Sequence, residues 1–136
     1  MSTRYLLDTS VFSQPLRNRP IRPCLLRWQE AGDAACGVCA VVIAEVEFGL
    51  RLEACEKRWQ KYRSLLDGRL ISLEMDTAVW TEFSGMKARQ QRIGETVADL
   101  DLLIAACATR YGMIVATLNR KDFSRIESLA WEDWSV

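Results

Sequence analysis

The sequence predicts an α/β fold built around a mostly parallel sheet. Short runs rich in Leu, Val and Ile alternate with longer segments of helical periodicity, as strand–helix–strand units require. Turn-forming or acidic residues close most of these runs: Asp8, Gly32-Asp33, Gly94 and Gly112. The 136 residues, 49% of them hydrophobic, supply a core for one domain over 1–136 and leave little for a second.

The elements follow in order. Residues 4–7 read as a central strand ending at Asp8, with Thr9 and Ser10 placed to cap the next turn. Residues 14–23, rich in Pro and Arg, form the linker-like stretch. A helix is predicted over 24–31 and a second strand over 35–39. Residues 41–52 and 53–66 are helical, 69–73 a short strand, and 77–92 a further helix stopped before Gly94. The next helix begins near Asp99 and ends at Gly112; 113–117 is the fourth strand, 119–123 a polar loop and 129–134 an edge strand.

Composition removes several kinds of chemistry. Eighteen basic residues balance 18 acidic ones, so nucleic acid would have to be met by a local patch and not by a global positive field. With no histidine, imidazole acid–base catalysis, Ser-His and Cys-His nucleophiles and His-ligated zinc are excluded. Five cysteines, an odd number, apolar stretches too short to span a bilayer, and Asp8 interrupting any signal peptide predict a reduced, soluble, cytoplasmic protein. Cys36-Gly-Val-Cys39 has metal or redox spacing, but it runs into Ala-Val-Val-Ile-Ala and has no second close pair; buried thiols filling a strand are the simpler reading.

What composition leaves is carboxylate chemistry, and four acids stand where apolar runs stop. Asp8 follows Tyr-Leu-Leu, and Asp122 follows Ile-Val-Ala-Thr-Leu-Asn. Glu45 has Val41, Val42, Phe48 and Gly49 at its helical neighbour positions, so it lies on an apolar face, whereas Glu47 is nearer the boundary. Asp101 shares a face with Ile104, Ala105 and Ala108. Each has an ordinary alternative: Asp8 as a cap, Asp99 or Asp101 as the cap of their helix, Asp122 as a turn residue. Together they predict one electronegative pocket beyond the carboxyl ends of the strands. Crowded carboxylates repel unless a cation offsets them, and an all-oxygen set favours Mg²⁺ or Mn²⁺.

The segments Tyr-Leu-Leu-Asp-Thr-Ser at 5–10, Val-Ile-Ala-Glu-Val-Glu-Phe-Gly-Leu at 42–50, Ala-Asp-Leu-Asp-Leu-Leu-Ile-Ala-Ala at 98–106 and Thr-Leu-Asn-Arg-Lys-Asp-Phe at 117–123 occur in the order found in PIN-domain ribonucleases. The chain resembles that family, and within it the VapC-type toxins of bacterial toxin–antitoxin pairs. The resemblance implies a three-layer α/β/α sandwich with a parallel sheet of about five strands, a homodimer, and a VapB-like antitoxin that covers the active-site groove. It implies that Asp8, Glu45, Asp101 and Asp122 hold Mg²⁺ or Mn²⁺ for RNA cleavage, that Ser10 and Asn119 support them, and that Asp99 adds a water-mediated contact. Leu118 departs from the Arg frequent there. Basic groups near the acids are Arg17, Arg19, Arg22, Lys87, Arg89, Arg92, Arg120 and Lys121; Arg17, Arg19, Arg120 and Lys121, which flank acids, are the expected RNA contacts. Trp59, Trp80, Leu65 and Leu66 offer apolar surface for an interface.

Two other phosphoryl chemistries fit less well. A haloacid dehalogenase-type phosphatase needs a second Asp two residues after the first, where this chain has Ser10. A receiver-like domain needs an acidic pair after the first strand and an Asp after the third; Leu7-Asp8 and Ser72-Leu73 occupy those places.

Overall fold

A computed structural model describes residues 4–136. Among them, five strands form one sheet: β1 (Tyr5–Leu7), β2 (Cys36–Cys39), β3 (Ile71–Leu73), β4 (Ile114–Thr117) and β5 (Trp131–Asp133). Their order is β3-β2-β1-β4-β5, every pairing is parallel, and Leu6 sits at the centre between Gly37 and Val115.

The helices are α1 (Thr9–Phe12), α2 (Arg22–Ala31), α3 (Ala40–Glu53), α4 (Glu56–Leu66), α5 (Thr77–Arg92), α6 (Asp99–Arg110) and α7 (Arg120–Phe123). The chain steps outward from β1 to β2 and β3, then returns past β1 to β4 and β5. Right-handed crossovers therefore put α1 to α4 on one face and α5 to α7 on the other, giving three layers. The reversal between β1 and β4 opens a crevice at the carboxyl edge, where such sheets bind ligands.

Local chemistry explains the boundaries. Ala54 adopts a left-handed conformation (φ 54°) that ends α3 and separates it from α4. Pro23 at the first turn of α2 lets that helix start two residues before the predicted 24. The predicted polar loop at 119–123 is instead a single helical turn, α7, with Asn119 at its start and Phe123 buried against the core.

The core runs along both faces of the sheet: Leu6, Leu7, Val38, Val115 and Ala116 are buried, as is all of α6 from Leu102 to Ala108. Cys36 and Cys39 are buried fillers of β2, and both carry free thiols. Gly37 between them suits tight packing: a Cβ would come within 3.2 Å of the Ile71 carbonyl and the Met113 methyl, so its neighbours would have to give by a few tenths of an ångström. Of the residues expected to offer interface, Trp80 is half exposed, Leu65 belongs to the core, and Trp59 is stacked between Arg51 and Arg63. Among the described residues no helix is long and apolar enough to cross a membrane.

Candidate active site

Asp8 leaves the end of β1 and is 3% exposed, so its carboxylate needs donors. It has three. Val11 N–H donates to Oδ1 at 3.0 Å, Ser10 Oγ to the same oxygen at 2.6 Å, and Thr117 Oγ1 to Oδ2 at 2.5 Å. The two hydroxyls also accept backbone N–H groups, Leu118 N to Ser10 at 2.9 Å and Asn119 N to Thr117 at 2.8 Å. The β4 exit is thus stitched onto Asp8. The cap reading and the pocket reading of Asp8 are compatible: Oδ1 caps α1 while the carboxylate also lines a cavity of about 300 Å³.

Three further chain segments reach that cavity. Glu45, halfway along α3, lines it and accepts from Thr9 Oγ1 at 2.5 Å. Asp101 lines it from the first turn of α6, in front of the buried Ile104. Neither Asp99 nor Asp101 caps α6; Ala98 holds that position without a side-chain bond. Asn119 lines the cavity too, and its Nδ2 donates to Asp122 Oδ2 at 2.8 Å, holding the fourth acid beside it. Glu47 faces elsewhere, accepting from Tyr62 Oη at 2.6 Å.

The electrostatics couple all four acids. Burial pushes the Asp101 carboxyl up to about 6, and Asp122, Glu45 and Asp8, in that order, push in the same direction. Burial also raises Asp8; its three donors pull it back, and Glu45 adds a further push upward. Mutual repulsion of this kind is what a divalent cation relieves. Among the described residues no three carboxylates close into a finished metal cage. An all-oxygen set of this kind suits Mg²⁺, which keeps several waters and takes one or two protein carboxylates directly.

The remaining expected residues divide. Arg17 lines the acid cavity. Arg19, Arg22, Arg89 and Arg92 are exposed, and Arg120 and Lys121 are exposed on α7 next to Asp122. Asp99 is outside the cavity lining, solvent-exposed and ion-paired with Lys87 at 3.0 Å. Thr9, read from the sequence only as a cap, and Thr117, not singled out at all, are the two supports of the acids that sequence reasoning missed. The pairing of Leu7 with Ala116 makes Asp8 and Thr117 lateral neighbours, a relation visible only once the strand register is known.

The PIN-domain model matches residues 5–129. The chain belongs to the PIN-domain family. This PIN domain is 27% identical to a ribonuclease VapC2 of Haemophilus influenzae, over 96% of this chain and 98% of the relative. It is equally identical, 27%, to a tRNA(fMet)-specific endonuclease VapC of Shigella flexneri, over 97% and 98% of the two chains. A crystal structure of DNA-bound VapBC from Salmonella typhimurium matches with a TM-score of 0.78 at 25% identity, over 98% of this PIN domain and 99% of that chain.

Proposed function

We propose that this VapC-type PIN domain is a Mg²⁺- or Mn²⁺-dependent endoribonuclease toxin that cuts structured RNA, such as transfer RNA, and so inhibits translation in the cytoplasm until a VapB-like antitoxin binds it. What carries this reading is that Asp8 after β1, Glu45 of α3 and Asp101 of α6 line one crevice, with Asp122 of α7 held beside it by Asn119 and close enough to act on Asp101. The VapC relatives support the choice of RNA, and the VapBC structure supports an antitoxin partner.

The cation, held by Asp8, Glu45, Asp101 and Asp122, would supply the positive charge that neutralises a phosphate and acidifies a water. The chain supplies the order around it. Ser10, Thr117 and Val11 hold Asp8 in one orientation, Thr9 holds Glu45, and Asn119 holds Asp122, so little reorganisation is needed when substrate binds. Asp101, whose carboxyl is pushed up to about 6 by burial and by the three other acids, is the ligand whose ionised form gains most from a cation's charge. Arg17 faces the cavity as a countercharge for the phosphate. With no histidine to activate a 2′-hydroxyl, direct attack by water leaves a 5′-phosphate and a 3′-hydroxyl.

The test is cleavage of structured RNA by purified protein with Mn²⁺ or Mg²⁺, with chelator, and with Asp101→Asn. Cleavage is expected to fall at least ~100-fold with chelator and with the substitution. Cleavage that survives either, or products ending in a 2′,3′-cyclic phosphate, would contradict the mechanism.

A further inference from the structure

A second cavity opens beside the acid pocket and shares Thr9, Ser13, Arg17 and Glu45 with it as a common wall. Its volume is about 580 Å³, inside the roughly 300–1,000 Å³ typical of ligand sites. The buried Leu16, Val46 and Leu50 make its apolar floor, and the exposed Arg17 and Arg19 stand at its rim.

Two observations show space and charge held in readiness there. The first is Gly49, which lines the cavity from the interior of α3, one turn on from Glu45. Glycine in mid-helix is disfavoured relative to alanine because of the backbone entropy it loses. A Cβ at Gly49 would meet nothing within 4 Å, so neither packing nor backbone demands glycine; its effect is to leave the cavity unfilled.

The second is the loop carrying Arg17 and Arg19, which is pinned from three sides. Gln14, 3% exposed, donates Nε2 to the Ser10 carbonyl at 3.0 Å and accepts the Ile21 N–H at 2.8 Å. Arg58 of α4 donates to Asn18 Oδ1 at 2.8 Å. Among the described residues, neither Arg17 nor Arg19 forms an ion pair. A fixed loop displaying two uncommitted guanidinium groups over an apolar floor suits a phosphate joined to a flat apolar face.

We infer that this cavity is a nucleotide subsite. It receives an unpaired nucleotide adjoining the phosphate at the acid cluster, with the base against Leu16 and Leu50 over Gly49 and the backbone phosphate on Arg17. The inference rests on the nuclease reading for which phosphate is cut, but not for the binding itself. A protein segment is the rival occupant, and the arginine rim favours the nucleotide.

The experiment uses full-length Asp101→Asn protein and a fluorescein-labelled RNA hairpin with an unpaired loop, read by anisotropy. Added to that background, Gly49→Phe is expected to weaken binding roughly tenfold or more, Gly49→Leu less, and Gly49→Ala little. Thermal unfolding should stay at or above the parent's temperature across the series, which separates blockage from misfolding. Arg17→Ala should weaken binding and lower the salt slope by about one. Parent-like affinity in Gly49→Phe overturns the subsite. So does a Gly49→Phe protein that loses only antitoxin association, and so does a parent that binds no hairpin. In a parallel arm with native Asp101 and Mn²⁺, absent cleavage alongside blocked binding removes the nuclease reading and leaves the subsite. Cleavage by Gly49→Phe at unchanged kcat/KM and unchanged base preference beside the cut removes the subsite and leaves the nuclease.

Discussion

Asp101 and Thr117 show how single side chains set the site's behaviour. The folded-state carboxyl of Asp101 sits near 6 against an ordinary 3.8, so folding binds a proton there. Below about pH 4 the group is protonated in both states and costs nothing. As pH rises through 6 the metal-free fold must ionise it against burial and three other acids, and stability is lost. Asp101→Asn should therefore raise the chelator-treated melting temperature by roughly 2–5 °C at pH 7.5, from about 1 kcal/mol after allowing for the group's partial exposure, and leave it unchanged at pH 3.5. Scanning calorimetry at the two pH values decides this; equal shifts at both would show that the effect is not electrostatic. Added Mg²⁺ should stabilise the parent more than the variant. Thr117 is fully buried and its hydroxyl links Asp8 to Asn119 N–H. Thr117→Val keeps the shape but strips a donor from a buried carboxylate, and urea unfolding should report a loss of about 1–3 kcal/mol. The acids were recognisable from the sequence because charge at the end of an apolar run is anomalous. Thr117 was not, because a threonine closing a strand is ordinary.

At the scale of elements, the connections matter as much as the strands. Gln90, 2% exposed near the end of α5, donates Nε2 to the carbonyls of Glu95 at 2.8 Å and Arg125 at 2.7 Å, and its Oε1 accepts the Glu127 N–H at 2.9 Å. One amide thus ties α5 to the segment entering α6 and to the segment between α7 and β5. Gln90→Leu would strand those three backbone groups, at about 2–3 kcal/mol by chemical denaturation. Hydrogen exchange should show faster opening at Glu95 and Glu127 than at β1; uniform loss of protection would contradict a local clamp. The boundaries that sequence periodicity missed have similar local causes. Pro23 begins α2 early, the left-handed Ala54 moves the break between α3 and α4 from the expected 52/53 to 54–55, and residues 120–123 make one helical turn, α7, where a loop is expected. Each depends on a dihedral or a capping geometry that hydrophobic pattern does not encode.

For the molecule as a whole, the balance of 18 basic against 18 acidic residues implies that RNA binding depends on few charges. With Arg17, Arg19, Arg120 and Lys121 as the phosphate contacts, the slope of log K against log salt should be no steeper than about −4. Filter binding from low to moderate salt measures it, and a slope near −6 would require basic residues beyond these. Composition and periodicity, being properties of the chain read in order, were enough for the alternation of strands and helices, the exclusion of imidazole chemistry and the anomaly of the acids. That β1 and β4 lie side by side at the sheet's reversal follows from the folded arrangement alone. That pairing places Thr117 against Asp8, while the packing of α5 on α6 sets Asp99 outside with Lys87. The packing of α1 and the 13–19 segment against α3 and α4 leaves a cavity beside Glu45 that Gly49 does not fill. Such relations arise between residues as much as 109 positions apart, and strand register, which joins them, is set by packing across the whole sheet.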